Sequence, residues 1–85
     1  MITELKPINS SQKSFYGTAV VEINGNTITL YSYNTKICSI VAGRRFVRHW
    51  NGYSATTSKH IKEFCLQNGF EPYYKKEWEN LPIEK

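Results

Sequence analysis

Two β-prone runs meet at one turn signal, and that pairing limits what this chain can fold into more than anything else in it. Thr18-Ala19-Val20-Val21-Glu22-Ile23 comes first and Asn26-Thr27-Ile28-Thr29-Leu30-Tyr31-Ser32-Tyr33 second, with Asn24-Gly25 between them. Asn and Gly tolerate the positive φ that a tight hairpin turn demands, so the runs read as antiparallel strands. In the second run Ile28 and Leu30 point one way; Thr27, Thr29, Tyr31 and Tyr33 point the other. That period of two marks one face for burial. A second hairpin follows: Lys36-Ile37-Cys38-Ser39-Ile40-Val41, a turn at Ala42-Gly43, and Arg44-Arg45-Phe46-Val47-Arg48-His49-Trp50 in return. Its last strand alternates poorly. Arg45, Val47 and His49 share one face, Arg44, Phe46, Arg48 and Trp50 the other, and the sequence leaves open which of the two is buried.

Beyond Asn51-Gly52 the period changes. Ser54, Thr56, Thr57 and Ser58 offer hydroxyls to cap a helix, and the spacing predicts one over 57–67. His60, Ile61, Phe64 and Cys65 fall on one stripe; Lys59, Lys62, Glu63 and Gln67 are expected to face outward. Asn68-Gly69 is a stop signal, with Gly in the left-handed position. After Pro72, residues 75–81 can form a short second helix presenting Tyr74, Trp78 and Leu81 together, ended by Pro82. Residues 1–13 read as a leader that is mobile or lies along a sheet edge. The expectation is one α+β domain over 14–85: a four-stranded antiparallel meander packed on one main C-terminal helix, with a short second helix.

Charge is unevenly distributed. Residues 1–35 balance two Lys against two Glu. Residues 36–62 hold six cations (Lys36, Arg44, Arg45, Arg48, Lys59, Lys62) and no carboxylate, and residues 63–85 carry five Glu against three Lys. A one-signed segment threaded with Trp50 and Tyr53 is a candidate surface for an anionic partner, though a merely solvated face has the same composition. The free amides of a helix start at Thr57 would add to it, unless the helix caps itself. The nominated binding residues are therefore Arg44, Arg45, Arg48, Trp50, Tyr53, Thr57, Lys59 and Lys62.

The stretches Lys13-Ser14-Phe15-Tyr16-Gly17, Leu30-Tyr31-Ser32-Tyr33-Asn34-Thr35, Trp50-Asn51-Gly52-Tyr53-Ser54-Ala55-Thr56-Thr57 and His60-Ile61-Lys62-Glu63-Phe64, with Lys75-Lys76-Glu77-Trp78 behind them, resemble a family of short uncharacterised proteins carried by phages and mobile elements of Firmicutes. The likeness spans about Pro7 to Leu81. It implies a mobile-element setting, in which small proteins often inhibit or redirect host and defence machinery. It implies no activity.

Catalysis is not expected. Thr57 and His60 could meet at a helix start, but the chain has no Asp to orient the imidazole, and Glu63 falls on the outer side. Cys38, His49, His60 and Cys65 match no zinc spacing, so no metal is expected, and no other cofactor is implied. The N-terminus lacks an apolar run and no segment is long enough to span a bilayer, so a cytoplasmic protein with reduced thiols is the default. The functional expectation is a binding protein, monomer or homodimer. Its expected partner is a host or defence protein, as for an anti-CRISPR-like inhibitor; the alternative is direct nucleic-acid binding.

Overall fold

The first hairpin forms one residue on from the Asn-Gly signal. In the computed structural model, which describes residues 1–9 and 14–84, β2 (Ala19–Asn24) and β3 (Thr27–Ser32) are joined by Gly25-Asn26. Asn24 pairs with Thr27, so the turn starts at Gly25 (φ 61°), while Asn26 keeps a negative φ. Such a turn needs Gly only at its first position. β4 (Thr35–Val41) and β5 (Arg45–Arg48) make the second hairpin. Four strands were expected and five form, because β1 (Ile2–Glu4) of the leader pairs antiparallel with β2. The sheet runs β1-β2-β3-β4-β5, antiparallel throughout.

One irregularity sets which side chains face inward. Leu30 pairs with Cys38 but Tyr31 pairs with Lys36, so Ile37 is an extra residue in β4. A bulge of this kind lets two successive side chains turn to one side. Ile37 and Cys38 are accordingly both buried, while Lys36 is exposed. The Ile37 carbonyl accepts from the amides of both His49 (2.9 Å) and Trp50 (3.1 Å).

α1 (Ala55–Gln67) covers one face of the sheet, and α2 (Lys75–Glu79) sits against the β5 side of that face. α1 begins earlier than the expected Thr57 because Ser54 is the cap: its Oγ accepts from Thr57 N at 3.1 Å. The helix ends as Asn68-Gly69 requires. Gly69 has φ 79°, and the amides of Gly69 and Phe70 return to the carbonyls of Leu66 and Cys65. Ala19, Val21, Leu30, Cys38 and Ile40 of the sheet meet Ile61, Phe64 and Cys65 of α1 and Trp78 of α2, with Leu5 and Phe15 closing the margin. Full burial of each large side chain in this set contributes about 1.5–3 kcal/mol.

Glu63, expected to face outward, is buried. Its carboxylate accepts from Asn9 N (2.9 Å), Asn9 Nδ2 (2.8 Å) and Gln67 Nε2 (2.7 Å). The leader itself covers that side of α1, which no period within α1 could reveal. Burial alone would raise this carboxyl, but hydrogen bonds from Gln67, Asn9 and the Ile8 amide outweigh it and hold it below its ordinary range.

Candidate binding surface

The eight residues nominated from the sequence divide between the surface and the interior. Arg44 is exposed on the β4–β5 turn, and Lys59 and Lys62 are exposed on α1. Arg45 is also exposed, but its Nη2 holds both carboxylate oxygens of Glu84, at 2.8 and 2.7 Å. Arg48 does not belong to the surface. It is buried on the helix side with Phe46, its guanidinium 5.2 Å from the Trp78 ring centroid, donating from Nε to Trp50 O (2.8 Å) and from Nη1 to Leu81 O (3.1 Å). The poor alternation of β5 thus resolves with Phe46 and Arg48 inward. A guanidinium is tolerated there because two carbonyls and an indole face replace water.

Trp50 and Tyr53 are half-buried against the core, and Gly52 lets the chain pass between them and α2. Gly52 O accepts from Trp78 Nε1 at 2.7 Å. A Cβ on Gly52 would lie 2.5 Å from the Trp50 ring, so the close approach requires Gly. Thr57 is buried as well, its Oγ1 3.3 Å from Ser32 Oγ. The same Ser32 hydroxyl lies 2.8 Å from His60 Nδ1. His60 is closed in by Phe15 (4.6 Å between centroids) and Tyr33 (6.0 Å). Burial, with the nearby Lys59 charge, holds the imidazole below its ordinary value. Thr57 and His60 are linked through the Ser32 hydroxyl, in an interior polar contact under α1.

The open face of the sheet holds a second histidine arrangement that no spacing along the chain announces. Thr29 Oγ1 and Ser39 Oγ are 2.8 Å apart, Ser39 Oγ and His49 Nε2 are 2.8 Å apart, and His49 Nδ1 bonds the Glu84 carbonyl. A carbonyl can only accept, so Nδ1 carries the proton. In the neutral ring Nε2 then accepts from the Ser39 hydroxyl, which in turn accepts from Thr29. Cross-strand pairing of Thr29 with Ser39 and of Ser39 with Val47 builds this row. The one signal available beforehand was the polar alternation of β3, which put Thr29 on the face away from Leu30. Beside the row lies a groove of about 430 Å³ lined by two carboxylates (Glu22, Glu84), two cations (Lys36, Arg45) and His49 among others.

A serine hydroxyl bonded to an imidazole whose other nitrogen is oriented is also the geometry of a nucleophile and its base. Acyl transfer further needs amides aimed at a developing oxyanion. Ser39 lies in mid-strand with partners on both sides, so the neighbouring amides are engaged in the sheet ladders. Both thiols are free and buried. Burial pushes Cys38 well up and Cys65 up to about 12, which keeps them protonated and unreactive.

These features define a small α+β domain with a sheet covered by helices on one face and a polar groove with exposed cations on the other surfaces. The chain belongs to DUF8033, a family of unknown function whose model matches residues 3–80. That description names no activity, partner or source. No curated protein and no solved structure matches. Among the described residues no helix is long and apolar enough to cross a membrane.

Proposed function

We propose that the chain is a non-enzymatic binding protein that recognises an anionic surface. Its principal partner would be a host or defence protein, one that handles nucleic acid. The chain would inhibit or redirect that partner as an anti-CRISPR-like protein of a phage or mobile element acting in the host cytoplasm. One observation carries the reading. Lys36, Arg44, Lys59 and Lys62 stand exposed with no ion pair among the described residues, so the positive segment is not neutralised by the acidic tail except at Arg45. Unpaired surface cations raise the local concentration of anionic partners and steer their approach. The hydroxyl–imidazole pairs support binding over catalysis, since the Ser32–His60 pair is closed in under α1 and Ser39, on the open face, sits in mid-strand with its neighbouring amides held in the sheet ladders.

The test is affinity capture from host lysate, with and without nuclease, comparing the parent chain with the triple variant Arg44→Ala, Lys59→Ala, Lys62→Ala. The expected result is a protein partner that survives nuclease and is lost with the triple variant. Equal capture by both chains would remove these cations from the interface. A second reading, direct nucleic-acid binding, is favoured by exposed tyrosine rings near unpaired lysines. It predicts affinity for generic DNA or RNA that falls steeply with salt.

A further inference from the structure

Two tyrosines outside the nominated segment occupy backbone positions that a bulky residue rarely adopts. Tyr16 and Gly17 form the centre of a turn closed by Thr18 N donating to Phe15 O at 3.0 Å. Tyr33 and Asn34 form the two-residue link from β3 to β4. All four have positive φ: 54°, 75°, 51° and 66° in chain order. Turns of this kind ordinarily carry Asn or Gly, because a larger side chain is strained there. Burial does not account for the choice: Tyr16 is 82% exposed, and Tyr33, although one side of its ring faces His60, is 57% exposed. Strain retained in an exposed aromatic points to a use for the ring.

The two turns are neighbours. Tyr33 N donates to Thr18 O at 2.8 Å, and both turns close over His60 through Phe15 and Tyr33. Lys59, beside His60 on α1, is exposed with no ion pair among the described residues, and so is Lys36, just beyond the Tyr33 turn. The first turn of α1 has no carboxylate, and Glu63 is buried and engaged by Asn9 and Gln67. A protein anchor would set its aromatics in an apolar surround. Here the rings are flanked along the chain by Gly17, Asn34 and Thr35, and Lys59 adjoins the His60 that Tyr33 faces, which suits a ligand that alternates flat π faces with phosphates.

We propose that this end of the molecule binds single-stranded nucleic acid, with Tyr16 and Tyr33 each stacking on an unpaired base and Lys59 neutralising backbone phosphate. The proposal rests on the nucleic-acid reading above and moves it to different residues. The test is fluorescence anisotropy with labelled oligo-dT and oligo-rU of about 15 nucleotides, within the site sizes such surfaces occupy. Each is compared with a duplex of equal length at low and moderate salt. Single strands should bind more tightly than the duplex. Tyr16→Gly and Tyr33→Gly should each weaken binding by about tenfold, and Tyr16→Gly should leave the melting temperature unchanged or raised, because Gly relieves the left-handed strain at an exposed position. Tyr33→Phe, which keeps the ring, should bind like the parent. Lys59→Ala should weaken binding and lower the salt slope by about one charge. Glycine variants that bind like the parent, or a duplex bound as tightly as the single strand, would overturn the stacking site while leaving cation-driven binding standing. No binding to any oligonucleotide at low salt would remove both readings.

Discussion

Arg45 and Arg48 stand three residues apart on one short strand, on opposite faces, and do opposite things. Arg45 faces solvent and grips Glu84 with both partners well exposed, at 62% and 42%. Arg48 is 5% exposed and has no carboxylate partner among the described residues; backbone carbonyls and the Trp78 ring take that place. An ion pair in water gains little over its solvated parts, whereas a buried donor stripped of its acceptors loses its full solvation. The visible salt bridge is therefore the dispensable contact, and the guanidinium without a counter-ion is the structural one. The same contrast separates the two histidines. His60 lies in the interior under α1; His49 lines the open groove with its tautomer set by the Glu84 carbonyl.

Substitutions can be ordered by how hard they press on this difference. The largest effect is expected at Trp78, the covered side's hub. Trp78→Ala should cost about 3–5 kcal/mol by chemical denaturation, since it removes a fully buried ring together with the surface on which Arg48 lies. Arg48→Ala comes next, at about 2–3 kcal/mol, from the loss of two charge-assisted hydrogen bonds to carbonyls left in a part-buried site. Arg48→Lys should recover little of it, because a compact ammonium cannot span both carbonyls while stacking on the indole. Gly52→Ala should cost about 1–3 kcal/mol as the Trp50 ring is driven from the added methyl. At the other extreme, Arg45→Ala should change stability by less than about 1 kcal/mol. A loss as large as that of Arg48→Ala would show that the tail around Glu84 holds the sheet and does not merely rest on it.

Acidity tests the interior in the same way. The imidazole of His60 is held below its ordinary 6.5, so the unfolded chain takes up a proton that the folded chain resists. Stability is complete above about pH 6.5 and declines as pH falls through the lower, folded value. Glu63, held below its ordinary 4.5, acts in the same direction further down: its contribution is present above 4.5 and is lost as the carboxyl finally protonates. Thermal melts across this range should show a decline beginning in the mildly acidic region. His60→Asn should flatten the upper part of it.

Much of the fold was legible in local pattern. The hairpins, the α1 stripe and its Asn68-Gly69 stop follow from periods of two and of three to four, which neighbouring residues enforce on one another. The leader was expected to be mobile or to lie along a sheet edge, and it lies along the edge; its residues could not decide between the two, because Ile2-Thr3-Glu4 is short, all three residues are exposed, and β2 supplies the edge. Half-burial of Trp50 and Tyr53 and full burial of Thr57 were missed for a related reason. They are covered by residues distant in sequence, among them Ser32 for Thr57. The nominated surface was therefore part surface and part core, and Tyr33, which alternation put at the end of a strand, stands in the turn after it.

What the chain's own order of residues determined is the set of elements and the sign of its middle segment, since turn chemistry, periodicity and formal charge are all local properties. Which charges reach solvent was decided only by folding. A bulge at Ile37, a leader returning along β2 and an indole placed under β5 turn some side chains inward and leave others outside, and each depends on contacts between residues far apart in the sequence.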